Sequence, residues 1–364
     1  MEEKRPCSIC GTLHTPSALT EFDEEVLCGH CLNHLTLRCQ RCGQRIWQTQ
    51  NAGNEETILC RTCYDYYYTT CADCQRILPQ DDVYYDDDDS FEPHCYACQC
   101  RRNDRRVILD YSYKPSVLFY GTDSPLYLGV ELEVDAGGES QDRARALMAI
   151  ANEGNMERAF CKHDGSLSRG FEIVSHAMTL RYHETKMPWK AILEKAKDMG
   201  YLSHCAGSCG LHIHVSKRAL GDTEDAQDAV IARILYFLER FWPQMRCFSR
   251  RTDNQITRWC ARYGYQEHPT EILKTAKQGY ERYTCLNLLP PNTIEFRLFR
   301  GSLRHVTFVA ALQMTEHIYT LALKTSDEDM KKLTWEAFVA TVTKPELRQY
   351  LRERGLYSER KEDA

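Results

Sequence analysis

Two hydrophobic periods run along the chain, and each predicts its own element. Residues 129–135 alternate strictly, with Val130, Leu132 and Val134 on one side and Glu131, Glu133 and Asp135 on the other. A period of two predicts a strand with one apolar and one acidic face. Cys209 to Ser216 alternates in the same way, setting Leu211, Ile213 and Val215 against His212 and His214. Thr293 to Gly301 predicts a third such strand, with Glu295 and Arg297 on one face and Arg300 at its end. Asp164-Gly165-Ser166 is a turn, and Phe171-Glu172-Ile173-Val174-Ser175 is the apolar strand that follows it. Helical spacing predicts helices over 143–151, 188–199, 226–241, 306–323 and 335–352. This is an α+β pattern: helices packed on one face of a largely antiparallel sheet.

The first hundred residues show neither period and are organised by cysteine instead. Twelve cysteines form six C-x-x-C pairs: Cys7/Cys10, Cys28/Cys31, Cys39/Cys42, Cys60/Cys63, Cys71/Cys74 and Cys95/Cys98. Successive groups begin at 7, 39 and 71, a period of 32 residues, with 17, 17 and 20 residues between the pairs of each group. Two thiolates two residues apart fit a tight turn, and two such turns close a tetrahedral zinc site. A module of this size buries too little to fold alone, so the metal supplies much of its folding free energy. The pattern predicts zinc ribbons over 1–36, 37–68 and 69–104, then a catalytic domain over 107–364. Cys100 is left spare. With four cysteines in each group, His30 and His34 are not needed as ligands.

The chain has 364 residues, 43% hydrophobic and 27% charged, which excludes wholesale disorder. Its 19 cysteines, without a signal peptide in the N-terminal residues, point to metal ligation rather than a disulfide framework, and to a cytoplasmic chain. No run is apolar enough for a membrane helix. Through Cys98 there are seven Lys/Arg and seventeen Asp/Glu, a charge of -10, so the remainder carries +4 of the net -6. An acidic cysteine array, with Asp86 to Asp89 read as a solvated loop tip, is a poor nucleic-acid binder. Protein or peptide recognition, or a purely structural role, is the expectation for the ribbons.

Carboxylates two residues apart on a strand lie about 7 Å apart, close enough to straddle two metal ions. Four separated strands presenting acids, imidazoles or guanidiniums on one face are costly to bury without metals and anions to neutralise them. Carboxylates suit divalent cations and arginines suit phosphate oxygens, which makes a nucleotide site the expectation. Cys205 and Cys209 flank a glycine turn beside the histidine strand. Like Cys161, Cys247, Cys260 and Cys285, they are read as small packing residues.

Five motifs, in this order, resemble the amidoligase family, a branch of the carboxylate–amine ligases with the glutamine synthetase and γ-glutamylcysteine ligase fold. They are G-V-E-L-E-V, H-D-G-S-L, E-I-V-S, C-G-L-H-I-H-V and T-I-E-F-R-L-F-R-G, spanning roughly 125–325. The resemblance implies a glutamine synthetase-like antiparallel sheet with Glu131, Glu133, Glu172, His212 and Glu295 as magnesium ligands. Asp164 stands where the relatives usually carry Glu. It also implies that His214, Arg297 and Asn287 meet ATP, with Asp164, Glu172, Arg297 and Arg300 taking part in catalysis. The cofactors would be ATP, two or more Mg²⁺ ions and three structural Zn²⁺ ions. The substrates would be a carboxylate and an amine, joined through an acyl phosphate.

Two other classes stay open on the residues alone. One is a metal-dependent hydrolase using His212 and His214 on zinc, against which Arg297 and the carboxylate excess weigh. The other is a zinc-ribbon adaptor carrying an inactive ligase fold, against which the filled ligand positions weigh.

Overall fold

The computed structural model describes residues 4–85, 92–103, 106–154, 156–279 and 281–357. Asp86 to Asp89 and the side chain of Cys100 lie outside the described residues. The chain divides into two compact units, Met1–Arg106 and Val107–Ala364, and each is described by itself.

In the first unit, three groups of four cysteines each bring their sulfurs within 4.8 Å of one another. Cys7/Cys10, Cys39/Cys42 and Cys71/Cys74 occupy the turns of three small antiparallel hairpins. Each turn is closed by an N–H donated back to the first cysteine's carbonyl, from Gly11, Gly43 and Gln75 respectively. These three residues have φ of 71°, 74° and 61°, the left-handed region where glycine carries no Cβ penalty. The second pair departs from the expected tight turn. Cys28, Cys60 and Cys95 immediately precede the short helices Gly29–Leu35, Arg61–Tyr67 and Tyr96–Asn103, which put Cys31, Cys63 and Cys98 in or near the first turn. The free N–H groups of a helix start favour a thiolate, as a second hairpin would have done.

Successive modules are stitched together. The strand Thr36–Arg38 leaves the first module's helix and pairs with Arg45–Trp47 beyond the second module's turn. Trp47 packs edge-on against Phe22, with ring centres 5.1 Å apart, and donates from Nε1 to Asp23 at 2.6 Å. The next junction repeats this: Ile77 packs on the cluster around Ile46 and Leu59, and Tyr64 shares a 2.7 Å hydrogen bond with Thr70.

The second unit is built on a mixed sheet. Its described strands are β1 (Ile108–Leu109), β2 (Phe119–Tyr120), β3 (Leu128–Val134), β4 (Ala159–Lys162) and β5 (Phe171–Ser175), then β6 (Ala177–Met178), β7 (Leu211–Ser216), β8 (Leu286–Asn287) and β9 (Thr293–Phe296). Their order is β1-β4-β5-β3-β7-β9-β8, with β6 pairing β3 beside β5 and β2 pairing β6. The sheet is antiparallel except for the β1–β4 and β2–β6 pairs. On one face Val130, Leu132, Val134, Ile173, Leu211, Ile213 and Ile294 are fully buried. They join one core with side chains of α1 (Gln141–Ala151), α2 (Trp189–Asp198), α3 (Glu224–Arg240), α4 (Trp242–Ser249), α5 (His305–Lys324) and α6 (Pro345–Glu353). Among the described residues no helix is long and apolar enough to cross a membrane.

Two predicted elements end differently. The helix expected over 335–352 is broken into Trp335–Ala340 and α6, because Pro345 cannot continue a helix and holds Lys344 extended at φ −70°, ψ 127°. The strand expected over 293–301 stops at Phe296. Beyond it the backbone is irregular, although Arg297 still donates its N–H to Cys285 and Arg300 bridges to Gly210.

Candidate active site

The polar face of the sheet follows from register. Glu131 stands opposite His212 across β3–β7, Glu133 opposite Glu172 across β3–β5, and Glu295 opposite both His214 and Asn287. Residues directly opposite share a face, so four strands deliver their acids and imidazoles to one side. Asp164 arrives from the turn after β4, where its Oδ1 accepts the Ser166 N–H at 2.6 Å.

Two adjacent clusters result: Glu131, His212 and Glu295 form one, and Glu133, Asp164 and Glu172 the other. Within each, donor atoms lie within 4.8 Å of one another. His212 touches both, with Nδ1 3.3 Å from Glu131 and 3.5 Å from Glu295, and Nε2 3.7 Å from Glu133. Glu133, Asp164, Glu172 and Glu295 are buried. Burying four carboxylates this closely is unfavourable unless cations stand among them. Oxygen-rich ligation with a single imidazole fits magnesium or manganese. The titration behaviour tells the same story. Burial, reinforced by the Glu131 and Asp164 charges, pushes the Glu172 carboxyl up to about 10. Burial also works against Asp164, but hydrogen bonds from Glu172 and Ser166 outweigh it and hold that carboxyl below its usual range. For Glu131, the opposing His214 charge and hydrogen bonds from both histidines prevail over burial, and its carboxyl lies well below the usual range.

The cleft over these clusters has a volume of about 490 Å³. Its rim is basic: Lys114, Lys162, Arg282 and Arg297 line it with Tyr111 and Ser112. Arg282 donates to the Tyr111 hydroxyl at 2.6 Å and lies over the Tyr283 ring. Arg297 is buried, donates from Nη1 to Glu295 at 2.5 Å, and has no hydrogen-bond partner for Nε among the described residues. A smaller recess continues past His212 to Arg251, Trp259 and Tyr283.

The remaining expected residues divide. Asn287 lines the cleft and steadies Glu295, donating to its Oε2 at 2.7 Å. His214 sits beside the clusters between Glu131, 3.3 Å from Nε2, and the Thr293 hydroxyl, 2.9 Å from Nδ1. Arg300 does not reach the cleft lining; its guanidinium donates to the carbonyls of His204 and Arg250. A period of two already sets Arg300, three residues past Arg297, on the side opposite to Glu295 and Arg297. Asp135, third on the acidic face, is also withdrawn: it accepts from the N–H groups of Ala136 and Arg169 and the Ser208 hydroxyl, which ties loops together. Lys114, Lys162 and Arg282 were not anticipated. Lys162 opens the K-H-D-G-S-L stretch, whereas Lys114 and Arg282 lie in loops without a pattern.

In the first unit the paired sulfurs Cys10/Cys28, Cys42/Cys60 and Cys74/Cys95 lie 3.8, 3.8 and 3.7 Å apart. A tetrahedral zinc with bonds of about 2.3 Å separates its sulfurs by about 3.8 Å. The three clusters therefore fit zinc ribbons with structural Zn²⁺.

No family model matches this chain, and no curated protein matches its sequence. Among solved structures it is similar to a bifunctional glutathione synthetase from Pasteurella multocida, at 10% identity and a TM-score of 0.33. That match covers 63% of this chain and 46% of the synthetase, a likeness too slight to carry an argument about fold or activity.

Proposed function

We propose that the second unit is an ATP- and magnesium-dependent carboxylate–amine ligase with a glutamine synthetase-like sheet, forming an amide or isopeptide bond. One observation carries this reading: two carboxylate clusters joined by His212 lie on the floor of a cleft whose rim is basic. That pairing of charges suits metal-bound phosphates better than a zinc hydrolase, which needs few carboxylates and no arginine over the metal.

Glu131, His212 and Glu295 would hold one ion, and Glu133, Asp164 and Glu172 a second. Ions bound there supply neutralisation of the phosphate charge. The substrate carboxylate attacks the γ-phosphorus, giving an acyl phosphate and ADP. The amine then attacks the acyl carbon and releases phosphate. Arg297, held by Glu295 and with no partner for Nε among the described residues, would donate to a phosphoryl oxygen. Lys114, Lys162 and Arg282 would orient the remaining oxygens, so this chain's part is positioning and charge neutralisation. The zinc ribbons would recognise a protein or peptide substrate or partner.

The test is incubation with ATP, magnesium and panels of carboxylates, amines and proteins. ADP release with a product lighter than its components by one water supports the ligase. Glu133→Gln should abolish both signals. Failure to bind ATP in calorimetry at millimolar magnesium would overturn the reading, and ADP without a condensed product would favour phosphoryl transfer.

A further inference from the structure

A second cavity, of about 460 Å³, opens at the C-terminal end of α4. It is lined by Pro243, Arg246, Cys247, Arg250, Arg251 and Arg354, so four guanidiniums and no carboxylate face it. Among the described residues only Arg246 has an acidic partner, Asp253 at 2.9 Å. Arg354 is fixed by its two hydrogen bonds to the Cys247 carbonyl, at 3.0 and 2.9 Å. Arg251 is buried and donates to the carbonyls of Arg297, Leu298 and Phe299 at 3.1 Å each. Arg250, with left-handed φ of 62° at the helix end, has no ion-pair partner among the described residues. Four like charges around one cavity repel one another, and a single carboxylate offsets only part of that. Arg251 and Arg354, held by backbone carbonyls, cannot swing away to relieve it.

We infer that this cavity binds a small phosphate-bearing polyanion. Planar guanidiniums meet phosphate oxygens in pairs, and several of them recognise a multiply charged group better than a single carboxylate. The site is also coupled to the cleft. Arg251 lines both this cavity and the recess past His212, and its hydrogen bonds hold the segment 297–299, which begins with Arg297. An anion drawn onto Arg251 from one side therefore steadies the chain that positions Arg297 on the other. Binding does not depend on the ligase reading; only its effect on activity does.

Calorimetry with pyrophosphate on the full zinc-loaded chain, without added magnesium, tests the inference. Arg250→Gln and Arg246→Gln should each weaken binding at least tenfold. Arg304→Gln, which removes an exposed arginine paired with Glu353, should leave it unchanged. Circular dichroism confirms that each variant is folded, and having two cavity variants keeps a result if one is not. Absence of saturable binding at low salt overturns the inference. So does equal weakening by Arg304→Gln, which would mark a diffuse charge effect. Loss with Arg282→Gln but not with Arg250→Gln would place the anion in the catalytic cleft and also overturn it.

Discussion

His212 Nε2 lies 3.7 Å from Glu133 while Nδ1 of the same ring lies 3.3 Å from Glu131, so one imidazole joins both carboxylate clusters. It does so because Glu131 and His212 are direct partners across β3–β7, and Glu133 is two residues further along the same face. Replacing this ring should disturb both candidate metal positions together. His212→Ala is expected to lower Mn²⁺ affinity at least tenfold, read by paramagnetic titration. If two classes of Mn²⁺ site persisted unchanged in the variant, the bridging role would be lost.

Metal analysis of the intact chain should find three zinc ions, one for each cysteine cluster. Cys63→Ser should reduce this to two and expose the second module to proteolysis, since such a module holds little core beyond its metal site. An unchanged zinc content would contradict the assignment of Cys63 as a ligand.

His183 is fully enclosed; its Nδ1 accepts from Trp189 Nε1 at 3.1 Å, and its Nε2 meets the Leu128 carbonyl at 3.1 Å. Burial lowers its pKa from 6.5 to about 4. Between these values the unfolded chain holds more protons than the folded one, so stability falls as pH drops from 6.5 and levels off below 4. The loss amounts to ~3 kcal/mol over that window. Denaturant unfolding of His183→Gln should show a shallower decline than the parent across the same range, and parallel curves would refute the contribution.

A Cβ on Gly170 would come 1.9 Å from the Val134 carbonyl oxygen, a backbone atom at the end of β3. Gly170→Ala should therefore cost about 2 kcal/mol in unfolding free energy, since the strand itself has to shift. A melting temperature within a degree of the parent would mean that the strand end yields freely.

The alternation in β3 and β7 was legible because a strand fixes which side chains share a face, and it gave the acid and histidine faces directly. The cysteine period was equally plain, although spacing alone could not distinguish a second hairpin turn from a helix start at Cys28, Cys60 and Cys95. Arg300 was expected in the site only through the family resemblance; counting by twos from Glu295 and Arg297 puts it on the opposite side, and the structure keeps it out of the cleft. Lys114 and Arg282 show the limit of periodicity. They are about 170 residues apart and meet at one rim only through tertiary folding, which no local pattern encodes. The break before Pro345 could have been read, since proline disfavours helix in the residue before it.

The stitched junctions of the first unit have a consequence for how its metals are lost. Trp47 belongs to the second module by sequence but covers Phe22 and Asp23 of the first, and Ile77 of the third covers the second. The first and second modules thus each borrow part of their shelter from their successor, as in a row of stacked repeats with nearest-neighbour coupling. Stripping zinc from the third site should loosen the second before the first. Chelation would then read as an ordered progression along the chain and not as three unrelated events.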